Sequence, residues 1–469
     1  MTVDAPVVDP ESTGAPATSA SALAAAAPPW PERATAWKTL WILSLVLGLS
    51  QVDRNILSLL LQSIKHDLKL NDAQMGILLG LAFSCIYLVL SFPLSRIADK
   101  RSRKTMIAIG VAFWSLSTAA CGLARSFWPM FIARAGLGAG EAANGPATYS
   151  LLGDSFPREK LPRAMAVLNV GFVGGTAISL IIGGVVIAAL SKVHVVLPVL
   201  GAVRTWQLVF FAVGLPGLLV ALLVMSITEP ARRGLGAKGA TGAVPIREVF
   251  AFLMRNRRFY GSLFVSVFIT GVITNGSLNF RAAFFQRTYH WPAQQYAVVT
   301  GIVSLIASPL GLVAGTWLCE RWNRSHHNGN MRVALFAYAV SIPFNVAGPL
   351  MPQAWMSVAC GAAGAALALM AAPPVVAAMQ SITASNVRAQ VNSMYLLVFS
   401  GVTGIIGPWF IGQLTDMQHD ETKLRYVLVI SAAVALPIST AIMALSIKPY
   451  GRMIQQIKAE EAAAQANSR

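Results

Sequence analysis

The chain has 469 residues, of which 55% are hydrophobic and only 12% are charged, and its mean hydropathy is +0.61. This composition excludes an ordinary soluble globular protein and is typical of a polytopic membrane protein. The formal net charge of +17 does not indicate a nucleic-acid partner, because the basic residues occur in short runs between apolar segments and not in one patch.

The apolar segments are long enough for about twelve transmembrane helices, since each helix needs roughly 20 residues to cross the hydrocarbon core. We therefore predict an all-α polytopic membrane protein. Its helices are expected near residues 37–64, 71–98, 104–123, 127–150, 163–190, 206–228, 258–287, 294–319, 332–350, 354–380, 389–415 and 424–447.

The predicted helices divide into two six-helix bundles. The N-terminal bundle covers residues 35–228 and the C-terminal bundle 258–448, with a cytoplasmic linker at 229–257 between them. Residues 1–34 are rich in Ala, Pro, Ser and Thr, so we expect a disordered cytoplasmic segment there and a cytoplasmic tail at 449–469. Because the Lys and Arg residues concentrate in the loops on one side, the positive-inside rule puts both termini in the cytoplasm. We expect the chain to lie in the inner (plasma) membrane.

The first and fourth helices carry charges at bilayer depth. Asp53 and Arg54 fall in the middle of the first helix, and Arg134 and Glu141 lie about two turns apart on one face of the fourth. A charge at this depth costs at least ~2.5 kcal/mol on insertion scales, so such residues indicate a functional site facing the bundle interior. The alternative is a set of buried ion pairs that only fixes the two helices against each other.

These four residues differ in what they can do chemically. Glu141 is the best candidate for a proton-coupling group and Asp53 the second, because burial and changing arginine contacts can both shift the protonation of a carboxylate. Arginine stays charged, so Arg54 and Arg134 are expected to act as counter-charges or gates in a central cavity. Gly136 and Gly140 between them form a GxxxG pattern, which predicts close helix packing.

The second half and the basic loops supply the remaining candidate residues. Arg281, with Asn279 and Asn275 on the same predicted helix, would bind an anionic group of the substrate; snorkelling of Arg281 toward the interface is the alternative. We expect a cytoplasmic gate in the basic loops, which joins the two halves when the inside is shut. Its candidate residues are Asp99, Arg103, Asp154, Arg158, Glu320 and Arg321.

Five short stretches carry a family resemblance. The turn from Ser95 to Lys104 resembles the loop signature between helices 2 and 3 of the major facilitator superfamily, and a shorter version recurs at Thr316–Arg324. The Asp53-Arg54 pair, the Arg134 to Glu141 stretch and Asp154–Arg158 resemble the Spinster-like branch more narrowly. This resemblance implies two six-helix bundles that rock around a central site and move a lipid-like or organic anion.

Taken together, the sequence predicts a secondary active transporter that works by alternating access and is coupled to protons. Its expected partners are a small-molecule or lipid-like anionic substrate, protons and the lipid bilayer, and we expect a monomer with no nucleic-acid partner. An organic-acid symporter for a hexuronate-like or aromatic carboxylate, a non-transporting membrane sensor and an uncoupled facilitator remain as alternatives. No ATP-binding, catalytic or metal-binding motif occurs, so we expect no enzyme activity, no cofactor and no metal.

Overall fold

Twelve helical spans form the protein in a computed structural model. The model describes residues 30–98, 101–157, 159–193, 195–197, 201–232, 245–384 and 386–467. Within these residues, eleven helices are long and apolar enough to cross a membrane, and the fourth span is added by two shorter helices in series.

We number the spans 1 to 12 in chain order. They are Arg33–Leu59, Asp72–Ala98, Arg103–Cys121, Phe127–Ala142 with Asn144–Ser155, Leu161–Leu190, Thr205–Met225, Arg257–Tyr289, Ala293–Ser325, Gly329–Ala347, Ala354–Ile382, Gln390–Asp416 and Leu424–Asn467. The arginine-rich loops of the predicted cytoplasmic side share one end of the molecule. We call it the basic end and the opposite end the outer end.

Span 4 breaks at Ala143, two residues after Glu141. The cause is in the sequence, because Pro146 has no backbone N–H to donate to the carbonyl of Ala142 four residues earlier. The predicted helix at 127–150 is therefore two helices, and the first of them ends one residue beyond the candidate proton-coupling residue.

Four further elements lie between or beyond the predicted spans. A short helix, Leu61–Leu68, follows span 1 at the outer end, and a second helix, Ile246–Arg255, lies within the predicted linker. Two three-residue strands, β1 (Val195–Leu197) and β2 (Gly201–Val203), pair antiparallel in the loop before span 6. Span 12 continues as a helix into the predicted tail, where Tyr450 is buried.

Among the described residues, the two halves share a buried hydrophobic core toward the outer end and not toward the basic end. One buried core there contains Val52 and Phe210 from the first half together with Phe280 and Phe284 from the second. Towards the basic end, one core is built from spans 1 to 6 alone, and a separate core is built from the second half and its linker helix. The described part of the molecule is therefore closed at the outer end and divided at the basic end.

Glycines make the contact between the halves close. A Cβ at Gly76 of span 2 would lie 2.4 Å from the Pro408 carbonyl oxygen of span 11, and one at Gly301 of span 8 would lie 2.9 Å from the Ala177 carbonyl oxygen of span 5. The helix backbones of spans 2 and 11, and those of spans 5 and 8, are therefore in direct contact, which leaves no room for a side chain at these positions.

Candidate substrate and proton-coupling site

Spans 1 and 4 bring a carboxylate and a guanidinium into direct contact. The Nε of Arg54 donates to Oε2 of Glu141 at 2.8 Å, its Nη2 donates to the same oxygen, and the Ser50 hydroxyl donates to it at 3.1 Å. Glu141 is 2% exposed, whereas 34% of the Arg54 side chain is accessible. The pair therefore has a buried anionic side and an accessible cationic side.

Two aromatic rings of span 2 hold Arg54 in place. Its guanidinium carbon lies 4.5 Å from the centre of the Phe83 ring and 5.4 Å from that of Tyr87. Ring faces attract the guanidinium while Glu141 neutralises it, so Arg54 is fixed from two sides. Sequence analysis did not single out Ser50, Phe83 or Tyr87. The four-residue spacings of Ser50 from Arg54 and of Phe83 from Tyr87 were the available signal.

The carboxyl group of Asp53 is buried without a hydrogen-bond partner among the described residues. It is 1% exposed and neither carboxylate oxygen has a partner in the described structure. Thr118 and Trp114 of span 3 face it, and their polar side-chain atoms are also buried without a hydrogen-bond partner. A charged carboxylate without any donor is costly in such surroundings, so this geometry favours the neutral acid.

Arg134 does not pair with either acid. It is 2% exposed, and its guanidinium donates only to backbone carbonyls, that of Leu78 at 3.4 Å and that of Asp53 at 3.3 Å. No ion pair joins it to a carboxylate among the described residues. Of the two predicted counter-charges, Arg54 contacts Glu141 and Arg134 lies deeper, against the backbone of span 1.

Close packing accounts for the glycines of the Arg134 to Glu141 stretch. A Cβ at Gly138 would lie 2.4 Å from the Phe83 carbonyl oxygen, and one at Gly140 would lie 2.8 Å from the Gly110 carbonyl oxygen. A Cβ at Gly136 would lie 2.7 Å from the Ser117 hydroxyl. The packing predicted for the GxxxG pattern is confirmed.

In the second half, Arg281 is half-buried and makes no hydrogen bond or ion pair with the described residues. A Cβ at Gly361 of span 10 would lie 3.1 Å from its Nη1, so the absence of a side chain there leaves space for the guanidinium. Asn275 instead donates to Thr403 of span 11 at 3.0 Å, and Asn279 donates to the Asn275 carbonyl at 2.9 Å. Arg281 is thus the predicted substrate residue with unused donors.

At the basic end, Arg103 is the centre of an ion-pair cluster within the first half. It pairs with Asp154 and with Glu229, whose Oε1 lies 3.1 Å from its Nε, while the Ser102 hydroxyl also donates to Glu229. Sequence analysis missed Glu229, although it lies at the start of the predicted linker. Burial raises the pKa of Glu229, but the hydrogen bonds from Ser102 and Arg103 outweigh it and hold the pKa below its ordinary value.

The other predicted gate residues do not join the halves in this conformation. Glu320 and Arg321 are exposed, and Arg321 lies over the Trp317 ring of its own span. Asp99 and Arg158 lie outside the described residues. The predicted gate stays a hypothesis about a state in which the basic end is shut.

The structure reveals a second charge cluster, at the outer end, which joins the two halves. Arg287 of span 7 donates to both oxygens of Asp72 of span 2, at 2.9 and 2.7 Å. Lys65 lies 3.0 Å from Asp72 and 2.7 Å from Glu421, and Glu421 also lies 3.6 Å from Arg287. We call Lys65, Asp72, Arg287 and Glu421 the outer charge cluster. The opposite charges of Lys65 and Glu421 on one side of the membrane were the only sequence signal for it.

Comparison with known proteins identifies the family. The model of the Major Facilitator Superfamily matches residues 43–408. The chain is 25% identical over 391 residues to an MFS-type efflux pump of Mycolicibacterium smegmatis, covering 82% of this chain and 86% of the relative. It is 24% identical over 311 residues to protein spinster homolog 1 of Xenopus tropicalis, covering 63% of this chain and 56% of that protein.

The fold agrees with a solved structure as well. A bacterial homolog to the human lysosomal transporter Spinster, solved in an inward-facing and unoccupied conformation, superposes with a TM-score of 0.73 at 21% identity, covering 91% of this chain and 98% of the other. The two-bundle fold and the Spinster-like resemblance predicted from the sequence are confirmed. The chain therefore belongs to the major facilitator superfamily of membrane transporters.

Proposed function

We propose that the protein is a proton-coupled secondary transporter that moves an amphipathic, lipid-like anion by alternating access. The observation that carries the proposal is the arrangement around span 1, where Arg54 pairs with Glu141 at the edge of the buried region and Asp53 is buried beside them unpaired. In the proposed setting, the transporter is a monomer in the inner (plasma) membrane with both termini in the cytoplasm.

The proton is assigned to the two acids by their surroundings. In this conformation Arg54 and Ser50 donate hydrogen bonds to the Glu141 carboxylate, whereas no described group donates to the Asp53 carboxylate, so the two acids have unlike surroundings. A rocking motion that moves Arg54 or Arg134 would change which acid is stabilised as an anion. One pH unit contributes ~1.4 kcal/mol and 100 mV ~2.3 kcal/mol per charge, which is enough to bias two conformations.

Alternating access is supported by the unequal ends of the molecule. The outer charge cluster and the shared core hold the outer ends together, whereas the basic ends have separate cores. With the positive-inside rule placing the basic end in the cytoplasm, this conformation is inward-facing. The opposite state requires the outer charge cluster to separate and the basic ends to meet.

The side chains of spans 2 and 11 toward the basic end support an amphipathic anion as the substrate. Leu88 of span 2 lies against Gly401 of span 11, and one turn nearer the basic end Phe92 and Leu397 are 65% and 46% exposed. Arg96 lies over the Phe92 ring, 4.7 Å from its centre. An apolar rim that carries a cation, with the unpartnered Arg281 in the second half, suits a molecule with an acyl chain and an anionic head.

The nearest alternative substrate is a small sugar acid. The chain is 26% identical over 174 residues to a probable L-galactonate transporter of Escherichia coli, which covers 37% of this chain. Arg281 and Arg54 suit a carboxylate equally well, so competition between a lysophospholipid and a hexuronate for uptake separates the two substrates. A non-transporting sensor would bind the substrate in vesicles but show no counterflow.

The coupling is tested by the Glu141→Gln variant in proteoliposomes. We expect substrate accumulation under an imposed pH gradient to fall at least about ten-fold, because the group that exchanges charge with Arg54 is lost. Glu248→Gln, which changes an exposed carboxylate of the linker helix, is the control and should leave accumulation unchanged. Unaltered accumulation by Glu141→Gln would remove Glu141 from the mechanism, and flux insensitive to pH in the unmodified protein would indicate a facilitator.

A further inference from the structure

A groove on the outside of the first half plays no part in the proposed transport. It lies between spans 2, 3 and 4, has a volume of about 500 Å³, and is lined mainly by Leu94, Ile97, Ile109, Phe113 and Ala139. Ile109 and Phe113 are 65% and 50% exposed, although both lie on a span that crosses the bilayer. Their natural environment is hydrocarbon, so the groove opens to lipid.

The groove is polar and basic at one end only. Arg101, Ser102 and Thr105 line its mouth at the basic end. Arg232 reinforces this charge, because its Nη2 donates to the carbonyl oxygens of Arg101 at 2.6 Å and of Ala98 at 3.0 Å. Among the described residues, the acid beside the mouth is Glu229, which Ser102 and Arg103 already engage, so the described part of the mouth has a surplus of positive charge.

The length of the groove matches one leaflet. From the start of span 3 at Arg103 to Phe113 the helix rises ~15 Å, which is half of a hydrocarbon core of ~30 Å. Beyond Phe113 a second groove continues toward the outer end, and none of its lining residues is charged. Of these two grooves, only the one in the leaflet at the basic end therefore combines an apolar channel for an acyl chain with a cationic mouth.

We propose that this groove binds one anionic glycerophospholipid of the leaflet at the basic end, with its phosphate at Arg101 and an acyl chain along Ile109 to Phe113. Gly140 and Ala143 form part of its wall, and they flank Glu141 and the break in span 4. The bound lipid supports that break from the outside. The assignment does not depend on which substrate the central cavity carries.

Lipid retention by the purified, delipidated protein tests the proposal. Phosphatidylglycerol and phosphatidylcholine are added in mixed detergent micelles, and bound lipid is counted by native mass spectrometry beside the unfolding temperature. We expect one phosphatidylglycerol to be retained in preference to phosphatidylcholine. Arg101→Gln should weaken its retention about five-fold, the usual effect of one basic residue near an anionic lipid.

Matched variants separate a built site from general electrostatic attraction. Ala139→Phe fills the groove and leaves every arginine in place, and it should abolish the preference while the unfolding temperature without lipid stays the same. Ile132→Phe, in the lining of the second groove, and Arg125→Gln, next in the chain to its lining residue Ala124, should change nothing. Equal retention of the two lipids, an Arg125→Gln effect as large as that of Arg101→Gln, or full retention by Ala139→Phe would overturn the proposal.

Discussion

The outer and the central charge clusters of this transporter both combine acids with bases but differ in how completely they are paired. In the outer charge cluster, Asp72 is bonded by Arg287 and Lys65, and Glu421 lies against both bases. In the central cluster of Asp53, Arg54, Arg134 and Glu141, one acid has no partner and one arginine reaches only backbone carbonyls.

The difference assigns the clusters different roles. A fully paired cluster that crosses between two halves stabilises one arrangement of those halves, since separating it exposes four charges to new surroundings. An incompletely paired cluster within one half has a group that can gain or lose a proton without breaking the fold. The first is therefore a contact that stabilises this conformation, and the second fits the proposed proton-coupling site.

The largest expected effect comes from replacing Asp53 by a residue that cannot bind or release a proton. Asp53→Asn should abolish the extra accumulation that a pH gradient drives, up to about ten-fold per pH unit, while substrate exchange without a gradient continues. Uptake and counterflow in the same proteoliposomes measure the two activities. Glu248→Gln, which changes an exposed carboxylate of the linker helix, is the control, and full gradient-driven accumulation by Asp53→Asn would assign the proton to Glu141 alone.

The second largest effect is expected when Asp72 loses its bidentate partner in the outer charge cluster. This loss should shift the equilibrium between the two conformations. Arg287→Gln leaves Asp72, which is 1% exposed, with Lys65 alone, and breaking a buried pair costs ~3 kcal/mol or more. Spin labels at His66→Cys and Met417→Cys, after replacement of the native cysteines, should report a longer distance across the outer end.

The matched control for this shift is Arg425→Gln. Arg425 donates to the Pro349 carbonyl at 2.9 Å within the second half and does not reach the first. Its removal should leave the label distance unchanged. If Arg287→Gln also left the distance unchanged, the outer charge cluster would not be what holds the outer end closed.

A smaller shift is expected from Lys65→Gln in the same assay. Asp72 keeps both hydrogen bonds from Arg287, so the loss should be ~1 kcal/mol and the distance change correspondingly smaller. Lys69→Gln, an exposed lysine four residues further along the chain, is the control. A larger effect at Lys65 than at Arg287 would reverse the ranking of the two bases.

The smallest effect is expected at the basic end, where Glu229 pairs within one half. Because its pKa is lowered in the folded state, its contribution is present above the unfolded pKa of about 4.3 and is lost as the pH falls through the folded value. Glu229→Gln should lower stability by ~1 kcal/mol at pH 7. Thermal unfolding should show this difference disappear in strong acid, with transport unaffected; a pH-independent difference would contradict the assignment.

The central cluster shows which features of the candidate site can be predicted from residue patterns and which cannot. Helical spacing predicted that Arg134 and Glu141 lie on one face of span 4. The position of Asp53 and Arg54 deep in an apolar segment predicted that they belong to a functional site. Spacing could not say that Glu141 takes Arg54 as its partner, that Arg134 lies against the backbone, or that Trp114 and Thr118 of span 3 face Asp53. Those contacts depend on how three helices rotate against one another, which local periodicity does not encode.

The sequence by itself determined the two-bundle helical fold of this protein, because hydrocarbon tolerates only long apolar segments with their backbone bonds satisfied internally. It also determined which charges are buried, since the cost of placing them in a bilayer is set by the residue and its depth. The tertiary structure alone decided the outer charge cluster, whose Asp72 and Arg287 are 215 residues apart. It also decided which end is closed, because that depends on how the two halves meet.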